Sequence, residues 1–114
     1  MANLPHPIDM TLLQHVTRGH PEKIRQLLSV YLKQNDQTLQ GLKEAIESSD
    51  MEKILQKAHA MAGASVFLGA IELSVPLFEL ERMGKSGRLT PKSRDLITLV
   101  EKEFARVHSF FNTL

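Results

Sequence analysis

The chain has 114 residues, 42% hydrophobic and 24% charged, enough for one compact domain spanning 1–114 and too few for two. Cysteine is absent, which excludes disulfide frameworks, thiolate metal sites and cysteine nucleophiles. A formal net charge of +1 offers no field for a polyanion, so nucleic acid is not an expected partner.

No apolar run approaches the roughly 20 residues of a membrane span, and the first residues lack the basic and apolar regions of a secretory signal. A cytoplasmic protein is expected, and Met1 and the length fit a free-standing one. In chain order, a short helix begins near Asp9, an N-cap residue, and stops at Gly19. Pro21 then opens a long helix to about Ile46, with Ile24, Leu27, Leu28, Tyr31, Leu32, Leu39, Leu42 and Ile46 on a three-and-four spacing. Asn35 interrupts that stripe and Gly41 weakens it, yet neither splits the helix.

Asp50 caps a third helix whose apolar side holds Ile54, Ala58, Met61, Ala62, Ser65 and Leu68, and Gly69 ends it. A fourth runs from Ala70 to about Met83, carries Pro76 inside it, where a kink is expected, and is closed by Gly84 and Gly87. Thr90-Pro91 starts a fifth, with Leu96, Val100, Phe104, Val107, Phe111 and Leu114 as its stripe. No segment alternates as a strand does. Short connections join antiparallel neighbours, so the expected fold is all-α: an antiparallel up-down four-helix bundle preceded by a short helix.

Most catalytic templates are missing. There is no glycine-rich phosphate loop and no H-E-x-x-H. Glu79 and Glu81 are two apart on a helix and cannot face each other as an acid–base pair. His59 stands out among the five histidines by its surroundings. At about 100° per residue it lies roughly 120° from the centre of its helix's apolar stripe, on the flank. One turn on are Ala62 and Gly63, and a glycine in mid-helix, at about 1 kcal/mol against alanine, calls for a reason. Small residues beside an exposed imidazole leave the ring open to a large partner, and neutral imidazole is a competent nucleophile. His6, His15, His20 and His108 read as surface or packing histidines, and Met51, Met61 and Met83 as core filler.

The run His59-Ala60-Met61-Ala62-Gly63-Ala64-Ser65-Val66-Phe67-Leu68-Gly69-Ala70 resembles the signature of histidine-containing phosphotransfer (HPt) domains, approximately H-x-L-K-G-[SA]-[SA]-x-x-L-G-A. Leu73, Leu77 and Leu80-Glu81, followed by Arg82 and Gly84, continue the likeness, and Ile8-Asp9, Gly19 and Asp50 extend it upstream. The resemblance implies a four-helix bundle in which His59 takes a phosphoryl group from a receiver-domain aspartate and passes it to another. The implied docking face takes in Ala62, Gly63, Val66, Leu55, Gln56 and Arg82. Ala62 stands where the family usually has a lysine, so the local electrostatics depart from the pattern. Lys57 points elsewhere on the wheel. Arg82 or Lys85 comes near His59 if the helices close tightly at Gly69; otherwise these two and Arg88 are solvated surface.

The expected function is therefore that of a phosphorelay intermediate, a phosphocarrier and not an enzyme, without ATP-binding elements. The implied partners are the receiver of a hybrid sensor histidine kinase and that of a response regulator, each bound weakly in turn by a monomer. No cofactor is expected on this chain; Mg²⁺ belongs to the receiver. The alternative reading is a non-phosphorylated helical module that binds receivers or kinases without transfer, which Ala62 favours.

Overall fold

The computed structural model describes residues 6–114. These form five helices: α1 (Thr11–Thr17), α2 (Pro21–Glu47), α3 (Met51–Leu68), α4 (Ile71–Ser86) and α5 (Lys92–Asn112). Helix α3 packs most extensively on α4; α2 lies against α3 and α5, and α4 against α5, which closes a ring of four. The short α1 rests on α2 and α3. Consecutive helices that pack on one another across such brief links run antiparallel, so the bundle is the up-down arrangement its periodicity predicts. No helix among the described residues is long and apolar enough to cross a membrane.

The helix ends follow elementary capping chemistry, with three corrections. Arg18 (φ 54°) and Gly19 (φ 74°) turn left-handed to end α1, and the Gly19 N–H donates to the Gln14 carbonyl at 2.9 Å. Pro21 occupies the first turn of α2, where its missing N–H leaves no bond unmade. The Asp50 carboxylate accepts from the Lys53 N–H at 3.2 Å and starts α3. Asp9 acts one residue ahead of its expected place: Met10 flanks α1, while the Asp9 carboxylate accepts from the Thr11 hydroxyl at 2.7 Å and the Thr11 N–H at 3.0 Å. These bonds, the hydroxyl first, hold the Asp9 carboxyl below its usual range. Thr90 does not cap α5. Pro91 flanks that helix without a side-chain bond, and the Thr90 hydroxyl turns toward the Met83 sulfur at 3.9 Å.

Gly84 does not close α4. The helix runs through it to Ser86, past Pro76, and Gly87 (φ 73°) ends it. Gly84 is buried where α4 crosses α3, and its missing side chain permits the close approach.

The core is aliphatic, built from Leu28, Leu42, Ile54, Met61, Leu73, Leu77, Leu80 and Val100, all fully buried. Each large side chain so buried contributes about 1.5–3 kcal/mol relative to exposure. Two stripe residues stand outside it. Leu27 is 37% exposed and Leu114, beyond the end of α5, is 42% exposed. Asn35 fits the apolar stripe because its Nδ2 donates to the Tyr31 carbonyl one turn back at 2.8 Å. Tyr31 in turn ties α2 to α3. The Ser65 hydroxyl donates to the Met61 carbonyl at 2.7 Å, so the Tyr31 O–H donates to Ser65 Oγ, also at 2.7 Å. Burial pushes the Tyr31 hydroxyl up to about 12, against a smaller opposing effect of the Ser65 bond. This buried link fixes which side of α3 faces inward, and hence which side faces out.

Candidate functional site

The side of α3 opposite the core carries His59, whose side chain is 74% exposed. Gln56, Gly63 and Val66 share that face, one turn before and one and two turns after it. A Cβ built on Gly63 would meet no atom within 4 Å. Leu55 sits half-buried at the edge. Ala62 is a correction: it is completely buried, so it belongs to the packed side of α3 and not to a docking face. Its methyl group is covered by neighbouring side chains, and position 62 brings no charge to the surface around His59. Lys57 lies against α2, with its Cε 3.1 Å from where a Gly41 Cβ would stand.

Helix α4 supplies what the periodicity of α3 alone could not. His59 Nδ1 lies 2.8 Å from Glu81 Oε2, a carboxylate only 17% exposed. A carboxylate accepts hydrogen bonds, so Nδ1 carries the hydrogen and donates it. In the neutral ring that leaves the lone pair on Nε2, the nitrogen turned away from Glu81. Phe78, Arg82 and Lys85 complete a depression of about 400 Å³ around the pair. Arg82 is tied to Glu79 at 2.7 Å, one turn back on its own helix. The tight closure at Gly69 thus brings Arg82 and Lys85 beside His59. Among the described residues, no group of three or more His, Asp or Glu could hold a metal ion.

The Gly69 turn sets this register. Its φ is 89°, and a Cβ there would fall into the Asp9 carbonyl, which crosses over the turn while the Asp9 N–H donates to the Gly69 carbonyl at 2.8 Å. Glu81 stands 22 residues from His59, with Ala70 midway. Folding a helical hairpin about that point sets the two side chains face to face. Replacing Glu81 by alanine frees both tautomers of His59 and is expected to slow any reaction at Nε2 about three- to tenfold. Glu81→Gln, which still accepts through its amide oxygen, should retain most of the rate. Single-turnover phosphoryl acceptance distinguishes these outcomes, and equal rates for all three proteins would remove Glu81 from the site.

The fold has counterparts among known proteins. The family model of the Hpt domain matches residues 26–110. The crystal structure of histidine-containing phosphotransfer protein B (HptB) from Pseudomonas aeruginosa PAO1 superposes with a TM-score of 0.86 at 27% identity, over 97% of this chain and 95% of that one. No curated protein matches significantly. Since the family model covers well over half of the residues, from within α2 to the last turn of α5, the chain belongs to the Hpt domain family.

Proposed function

We propose that His59 is the phosphoacceptor of a phosphorelay intermediate, taking its phosphoryl group from an aspartyl phosphate on one receiver domain and yielding it to an aspartate on another. Membership of the Hpt domain family supports a phosphocarrier rather than a kinase. The observation that supports His59 is its Nδ1–Glu81 bond on an exposed face, which leaves a lone pair at Nε2. That lone pair attacks phosphorus as the phosphorus–oxygen bond to the receiver aspartate breaks and the carboxylate leaves with its electrons. A phosphorus–nitrogen bond forms, and no proton has to depart from Nε2. The positive charge on the ring is offset by Glu81, and reversal of the same steps returns the group. The receiver's carboxylates and Mg²⁺ supply charge stabilisation from their own side.

Incubation with a phosphorylated receiver should give an acid-labile, base-stable phosphate that maps to His59. Label on another residue, or none, would overturn the reading. Access is tested separately at Gly63. A leucine there meets open space and improves helix propensity, so stability should hold or rise by up to about 1 kcal/mol. Its branched side chain one turn from His59 should still slow transfer from a receiver at least about tenfold by blocking close approach. Unimpaired transfer would mean that the partner approaches from elsewhere.

A further inference from the structure

From Arg82 to Arg94 the chain carries Arg82, Lys85, Arg88, Lys92 and Arg94 and no acidic residue, although its total charge is only +1. All five are exposed. The fold joins the first four into one surface. Arg82 and Lys85 line the depression that holds His59. Arg82 also lines, with Arg88 and Lys92, an adjoining groove of about 670 Å³ where α4 turns into α5. Arg82 is therefore common to both, and the cations run continuously from the imidazole to the α4–α5 turn. The carboxylates beside them are already engaged, Glu81 with His59 and Glu79 with Arg82. Lys85, Arg88 and Lys92 have no ion-pair partner among the described residues.

We propose that this basic tract is the electrostatic half of the receiver-docking surface, orienting the acidic face of the receiver over His59 and taking the part that the buried Ala62 cannot. The inference rests on the phosphotransfer reading above. A receiver that holds an aspartyl phosphate presents the phosphoryl group and the carboxylates that bind its Mg²⁺, so the face that must meet His59 is strongly acidic. Along one face of α4 the stretch Ile71, Val75, Phe78 is exposed and apolar, whereas its continuation through Arg82 and Lys85 toward Lys92 is cationic. An acidic rim is attracted to one end only, and this fixes the rotation of the partner about the His59 axis. Lys85, one turn beyond Glu81 and lining the same depression as His59, is placed to meet the phosphoryl oxygens. Complementarity of this kind acts mainly on the association rate and on partner choice, and salt screens it.

The test compares two phosphodonors on the Arg88→Glu/Lys92→Glu double variant, whose substitutions lie away from the depression around His59. Phosphoramidate needs no docking face; an isolated receiver domain phosphorylated with the same reagent does. The quantity read is the receiver-driven rate divided by the phosphoramidate rate. It should fall about tenfold at low salt and approach the wild-type ratio near 0.5 M salt. Thermal melting by circular dichroism monitors the fold, and the Arg88→Gln/Lys92→Gln variant should show a smaller fall of the same sign. An unchanged ratio at low salt in both variants overturns the tract and leaves His59 as acceptor. Failure of wild-type protein to take label from either donor overturns the acceptor reading, and the tract with it.

Discussion

His59→Gln should abolish phosphoryl acceptance, by at least about a thousandfold, while the melting temperature stays within a degree or two of wild type. Glutamine keeps the polar character and its amide can donate to Glu81 in place of Nδ1, so the local hydrogen bonding survives. What disappears is the only nitrogen lone pair in the depression. Other histidines do not replace it. His108 stands edge-on to Phe104, and the nitrogen it turns toward a carboxylate is Nε2, 3.4 Å from Asp36. His6 is stacked edge-on with Phe110, and His15 and His20 lie near the two ends of the loop from α1 to α2. None combines a carboxylate-held Nδ1 with an open glycine one turn away. Rapid labelling with a phosphorylated receiver, followed by acid and base treatment of the product, reads the result. Label in the variant equal to that in wild type would transfer the acceptor role to one of these four.

The parts of this molecule that were legible in the sequence are those that depend on a single helix. The stripe of α2 identifies Leu28, Leu42 and their neighbours as core because apolar residues recurring at three and four fall on one side of a cylinder. The same arithmetic puts His59 on the outside of α3, where it is found. Periodicity gives the direction of a face and not its width, however. Leu27 lies at the margin of its stripe and is left partly in solvent, Leu114 falls beyond the end of α5, and Ala62, at the edge of the apolar side toward His59, is covered completely. Glu81 depends on two helices at once. Its role becomes visible only when α3 and α4 are folded about Gly69, because the carboxylate and the imidazole are 22 residues apart. Glycine is ambiguous for a similar reason. Gly69 and Gly84 both read as helix stops, and only the first is one; the second is a helical residue whose missing side chain serves the neighbouring helix.

That second glycine leads to the largest expected effect on stability. A Cβ on Gly84 would stand 2.6 Å from the Leu55 backbone nitrogen, 2.9 Å from the Leu55 Cα and 2.9 Å from the Met51 carbonyl oxygen. All three belong to the main chain of α3, so no side-chain rotation relieves the overlap, and α4 has to move off α3 near its C-terminal end. Gly84→Ala gains about 1 kcal/mol in helix propensity. Against this stand overpacking of about 1–3 kcal/mol and the separation of the bundle's most extensive helix pair. The net loss should be about 1–3 kcal/mol, or a melting temperature lower by roughly 5–15 °C. Function should suffer beyond the unfolded fraction. Gly84 lies one turn from Glu81, and Leu55 one turn from His59, so the same displacement stretches the 2.8 Å bond between them. Gly41→Ala provides the contrast, since its Cβ meets only the flexible stem of Lys57, which can swing aside. That variant should be at least as stable as wild type and transfer normally. Calorimetry and single-turnover acceptance well below the melting point measure both. A Gly84→Ala protein that melts with wild type would mean that α3 and α4 do not approach at main-chain distance, and the positioning of Glu81 against His59 would then need another cause.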